Sequence, residues 1–295
     1  PWLRPRLPVV EVGGRVVFAA GLGCAADEAP TTARDLRRRT PAHAPTRPRR
    51  RRSRRAGSPT GGPGDRWYRP AMTETATQAP ATGAARTYGN IIGGRSVTSP
   101  STFASRNSSR LDDVVGHFPE ATKDQVREAC VAAREAFATW SRTPAPIRGQ
   151  LIGQLGKALE REKESLSRLV TREMGKTLKE ARGSVQEAID TCHFFQSEGR
   201  RLYGQTVPSE MPRKELATYR RPLGVVGIVT AGNFPIAVPS WKIVPALLTG
   251  NTIVWKPSED APAVAYAFAK LIEEAGIPAG VLNVVFGGGA GAAGE

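Results

Sequence analysis

The chain has 295 residues, 42 Lys+Arg against 27 Asp+Glu, three Cys and 40% hydrophobic residues, enough for one or two globular domains. These figures exclude a short peptide and a disulfide scaffold, and the net charge of +15 raises nucleic-acid binding until the charge is located. Residues 1–71 hold 16 Arg, no Lys and 5 acids, whereas residues 72–295 are near balance, so the excess sits at one end.

The longest apolar stretch of that end, Val16 to Ala26, falls well short of the roughly 20 residues of a transmembrane helix. It also lacks the charged leader and cleavage site of a secretory signal. No membrane span is expected. Cys24, Cys130 and Cys192 are odd in number and widely spaced, which gives neither a disulfide framework nor a metal site and suits reduced thiols in the cytoplasm. Residues 31–71 combine an Arg run from Arg49 to Arg55 with many Pro and Gly and no periodic apolar face. Such a segment cannot bury enough surface to offset its chain entropy. Residues 1–85 are therefore expected to be disordered and outside the fold, with Met72 as a natural start. An arginine-rich arm for polyanions is the alternative reading of the same run, and the absence of Lys weighs against it.

From Tyr88 the pattern is that of a folded protein. Asn90–Val97 reads as a short strand with a Gly turn, followed by a polar loop and Val114–Val115. Thr122 with Gln125 forms a capping box, and Val126, Ala129, Cys130, Ala133, Phe137 and Trp140 share one helical face. Leu151 to Val170 predicts a second amphipathic helix reaching Met174, before Gly175. A third runs from Thr177 to Glu198 and carries Cys192 on its apolar face, where a thiol acts as a small hydrophobe. Residues 204–222 give two antiparallel strands about a turn at Pro212–Lys214. A βα alternation follows: strand Gly224–Thr230, expected to be buried on both faces, helix Trp241–Leu248, strand Thr252–Trp255, helix Ala261–Ala275 and strand Val281–Val285. This is the first half of a doubly wound, Rossmann-like α/β fold.

Ligands of such sheets bind beyond the C-terminal ends of the strands. The first end presents Thr230-Ala231-Gly232-Asn233, where the Asn233 amide can donate to a developing oxyanion. The second presents Lys256-Pro257-Ser258-Glu259, an ammonium and a carboxylate spaced for the hydroxyls of a ribose, the carboxylate disfavouring a 2′-phosphate. The third presents Gly287, Gly288 and Gly289, which allow close backbone approach to adenine or phosphate. Each has a plainer alternative: an Asn bonding to its own turn, a solvated surface ion pair, and a flexible glycine tail.

The string from Arg220 to Pro262, with its GNFP, PALLTGNT and KPSE segments, resembles the cofactor-binding stretch of the aldehyde dehydrogenase superfamily. The resemblance extends back through Glu173–Lys176 (EMGK) and covers residues 86–295, less than half of a family chain. It implies oxidation of an aldehyde to a carboxylic acid with NAD, or NADP. It also implies Asn233 as the catalytic oxyanion donor, and Thr230, Ala231, Lys256, Ser258, Glu259 and Gly289 as cofactor-binding positions. Strands within 204–222 would serve a homo-oligomer. The family's nucleophilic Cys and its general-base Glu fall beyond Glu295, so this chain alone is expected not to turn over. A non-catalytic nucleotide-binding or oligomer-partner module is the second reading. Gly232 stands where many members carry an aromatic residue.

Overall fold

The computed structural model describes residues 85–289, together with the backbone of two short strands, β1 (Val10–Val12) and β2 (Arg15–Val17), which pair antiparallel. The chain divides into two units, Pro1–Ala19 with Ala79–Glu295, and Ala20–Gln78. The expectations for the remaining N-terminal residues, including the Arg run, Cys24 and Met72, lie outside the described residues, as do those for residues 290–295.

Two hairpins come first. Strands β3 (Asn90–Ile92) and β4 (Arg95–Val97) turn at Gly93 and Gly94, both with positive φ, and β5 (Thr102–Asn107) pairs with β6 (Arg110–Pro119) in a separate ribbon. Helix α1 (Lys123–Trp140) starts on the Thr122–Gln125 capping box and buries Ala129, Ala133 and Trp140, while Cys130 is half-buried. Two helices, α2 (Ala145–Arg161) and α3 (Lys163–Met174), occupy the span expected to be one. The break falls at Glu162, whose backbone carbonyl and carboxylate both accept from the Ser165 hydroxyl. Such local polar bonds compete with the helical ladder. Helix α4 (Leu178–Glu198) opens on a second capping box, Thr177 with Glu180.

Helices α2 and α4 approach closely because Gly149, Gly153 and Gly156 line one face of α2. A Cβ on Gly149 would lie 2.4 Å from the Gln196 carbonyl oxygen, and one on Gly156 3.2 Å from the Cβ of Cys192. The exposed hairpin β7 (Thr206–Pro208) with β8 (Glu215–Ala217) follows.

The βα alternation comprises β9 (Val225–Val229), α5 (Ala237–Leu248), β10 (Thr252–Lys256), α6 (Pro262–Glu274) and β11 (Leu282–Val284). The sheet order is β4-β3-β11-β10-β9, with β9, β10 and β11 parallel and the β3–β4 hairpin added antiparallel beyond β11. Side chains alternate across it. Val254 and Val285 pack with Ala129 and Ala133 of α1, whereas Ile253, Trp255 and Val284 join the larger core formed with α2, α4, α5 and α6. Strand β10 is buried throughout, as a central parallel strand requires. The expectation that the first parallel strand is buried on both faces is corrected here. Among the described residues β9 pairs only with β10, so it is an edge; Ile228 is buried but Val229 is 58% exposed. Periodicity cannot tell a central strand from an edge, because the neighbour that covers a strand lies elsewhere in the sequence.

Candidate functional site

The parallel register brings three strand ends to one border of the sheet. Lys256 is the partner of Val229 and Val284 that of Trp255, and the Thr230 N–H donates to the Lys256 carbonyl at 3.2 Å. Thr230 is buried, and its hydroxyl oxygen accepts from the indole N–H of Trp255 at 3.0 Å, which fixes the exit of β9 against β10. Ala231 is exposed on that exit. Gly232 is buried, and a Cβ there would lie 3.1 Å from both Ser258 and Asp260, so a larger side chain would have to displace them.

The Lys256 ammonium donates to Glu259 Oε2 at 2.9 Å; the Lys side chain is 7% exposed and the Glu side chain 47%. This is not a solvated surface pair. The hydrogen bond from Lys256, with help from the Glu259 and Gly289 N–H groups, holds the Glu259 carboxyl below its ordinary value, so it is ionised at neutral pH. Gly289 therefore sits against Glu259 rather than trailing as a flexible tail, and a Cβ on Gly288 or Gly289 would meet nothing within 4 Å. Ser258 bonds to the exposed Asp260, donating from its hydroxyl at 2.9 Å and accepting from the Asp260 N–H.

The glycine turn is placed by a residue that the sequence reading passed over. Buried Asn90 on β3 accepts from the Phe286 N–H at 2.8 Å, and the Phe286 carbonyl accepts from the Ala121 N–H. Both backbone groups before Gly287 are thus held. A lone Asn in a short strand gives no sequence signal of such a role.

Asn233 is exposed and makes no hydrogen bond among the described residues, so its amide is available to a ligand and does not serve its own turn. Beside it, the Lys176 ammonium lies 3.6 Å above the ring of Phe234, a cation–π contact between the EMGK and GNFP segments.

Glu173, three residues before Lys176, is 3% exposed. Its carboxylate accepts from the Ser105 hydroxyl at 2.6 Å and from the N–H groups of Ala263 and Val264, both at 2.9 Å. Burial pushes this carboxyl up to about 7, against the pull of its three donors. Neither described thiol suits nucleophilic attack. Burial raises Cys130, and pushes Cys192 up to about 12. No cluster of metal-ligating side chains occurs among the described residues.

Residues 96–295 match the Aldehyde dehydrogenase family. The chain belongs to that family. It is 39% identical over 202 residues to an alpha-ketoglutarate semialdehyde dehydrogenase of Haloferax volcanii, a match covering 68% of this chain and 42% of the relative. Among solved structures, an NAD-dependent aldehyde dehydrogenase from Sinorhizobium meliloti superposes with a TM-score of 0.67 at 35% identity, covering 70% of this chain and 42% of that one. An NADP dependent enzyme of E. coli does so with a TM-score of 0.68 at 33% identity, covering 70% and 43%. The chain thus spans less than half the length of these relatives. No helix among the described residues is long and apolar enough to cross a membrane.

Proposed function

We propose that this chain forms the NAD(P)-binding half of an enzyme that oxidises an aldehyde to a carboxylic acid. The observation that carries the reading is the Lys256–Glu259 pair at the end of the central parallel strand, its Lys buried and its Glu half-open, with Thr230 and Gly289 on either side. The residues fit an adenosine ribose. Glu259 is ionised and accepts from ribose hydroxyls, and Lys256 has three donors of which Glu259 engages one. The open space above Gly288 and Gly289 leaves room for the base. When bound, the nicotinamide supplies the hydride acceptor. Asn233, unengaged by its own backbone, donates to the oxygen that gains charge as an aldehyde is attacked.

Binding of NAD+ to the 295-residue chain, measured by titration calorimetry, tests this. Glu259→Gln removes one charge-assisted acceptor and is expected to weaken binding by roughly tenfold or more, since such bonds are worth about 1.5–3 kcal/mol. Equal affinity in the variant removes Glu259 from the site.

The same reading includes a homo-oligomer and a cytoplasmic setting. An isolated two-stranded hairpin is marginal in water, and β7–β8 exposes Val207 and Leu216. We assign it to a contact between copies. Sedimentation of Leu216→Asp beside the parent chain checks this, and identical mass distributions would overturn it. The two unbridged thiols, Cys130 and Cys192, suit a reducing compartment.

A further inference from the structure

Helix α6 follows the loop that carries Ser258 and Glu259, and it begins without a cap of its own. Its N-cap residue is Ala261, which has no acceptor side chain, and Pro262 occupies the first helical position. The N–H groups of the next two residues, Ala263 and Val264, would be orphaned in a buried setting. Glu173 supplies both missing bonds from α3, one carboxylate oxygen to each amide. It thereby does what an Asp at the N-cap does, from a helix some ninety residues earlier in the chain. Ser105 of the β5–β6 ribbon donates to the same carboxylate.

We propose that Glu173 is a positioning residue for nucleotide binding: by capping α6 from another helix it fixes the end of the Pro257–Ala261 loop, and with it the placing of Glu259. The proposal rests on the reading of Lys256 and Glu259 as the ribose pair. Pro262 is only three residues beyond Glu259, so play at the start of α6 reaches that carboxylate directly. Glu173 contacts neither nucleotide nor substrate and acts through the helix.

The groups facing Glu173 are the Ser105 hydroxyl from β5, the two α6 amides, Arg172 on its own helix and the Tyr88 phenol from the segment before β3. Arg172 is itself committed to Asp113 of β6. With Glu173 near 7, ionisation across neutral pH strengthens its bonds to both amides. Nucleotide affinity therefore rises with pH over that range.

The experiment follows ADP-ribose binding from pH 6 to pH 8 in the 295-residue chain, together with amide hydrogen exchange at Ala263 and Val264. In Glu173→Gln the side-chain NH2 faces an amide donor. Exchange at these two amides should accelerate, affinity at pH 8 should fall about fivefold, the usual worth of a cap, and the pH dependence should vanish. Ser105→Ala keeps the cap but removes a donor to the charged form, so the pH profile should move upward. Faster exchange with unchanged affinity, or neither change, overturns the proposal. Should Glu173→Gln fail to fold, the Ser105→Ala profile decides: a shift supports the role, and an unmoved profile overturns it. A chain that fails to bind ADP-ribose, or binds it equally well as Glu259→Gln, sinks the ribose reading and this inference together. Failure confined to Glu173 leaves the ribose reading standing.

Discussion

At the scale of single residues, burial separates Glu259 from Lys256 and sets what each can recognise. In the proposed site the ionised, half-open Glu259 carboxylate would repel a 2′-phosphate, and Lys256 would meet one with one of its three donors already given to Glu259. NAD+ is expected to bind more tightly than NADP+, and Glu259→Gln should narrow the gap; competition titrations with both cofactors measure it. Asp113 poses a second charge question. The hydrogen bonds from Arg172 and Asn107 hold its carboxyl well below the usual carboxylate range, fastening the β5–β6 ribbon to α3. A depressed folded-state value means that this contribution to stability is present above the unfolded value near 3.8 and is lost as pH falls below it. Asp113→Asn should therefore lower the melting temperature at pH 7, with the difference shrinking toward pH 3. The places of Thr230, Asn233, Lys256 and Glu259 at the strand ends were legible in the sequence because each follows a run of apolar strand residues. Glu173 and Asn90 were not, because their partners lie 90 and 196 residues away, and only the folded chain brings them together.

At the scale of elements, the capping box at Thr122, the start of α4 at Thr177 and the parallel strands β10 and β11 could be read directly, since their signals are local and periodic. The β5–β6 ribbon could not. Its strands are largely exposed at the turn end, with Arg106, Arg110 and Asp112 standing where an apolar alternation would have marked them. Glycines within helices show how packing overrides propensity. Gly183 on α4 has nothing within 4 Å of a built Cβ, so Gly183→Ala should stabilise the protein by up to about 1 kcal/mol through helix propensity. At Gly149 the same gain meets the Gln196 backbone at 2.4 Å. Gly149→Ala should destabilise by about 1–3 kcal/mol, the usual cost of overpacking. Chemical denaturation of the two variants side by side would show opposite shifts in midpoint, and two shifts of one sign would refute the packing argument.

At the scale of the molecule, the parallel sheet runs β11-β10-β9 and, among the described residues, is widened on one side only, by the β3–β4 hairpin. The candidate site lies at the ends of these strands, at the border with the uncovered β9 flank, where Val229, Phe234 and Trp241 are exposed. The doubly wound class was legible from the order of apolar runs. The hairpin's place at the far edge was not, because its pairing with β11 joins residues 91 and 284. Elsewhere in the core, α2 and α4 meet closely over Cys192. Its thiol has no solvent exposure and is kept protonated by burial, so an alkylating reagent can reach it only after the two helices part. Cys192 thus makes the chain its own stopwatch. Cys130, half-exposed on α1, labels before it, and the lag until Cys192 itself is modified times the opening of the α2–α4 seam. A mass spectrum showing Cys192 modified as fast as Cys130 would mean that the seam does not hold in solution.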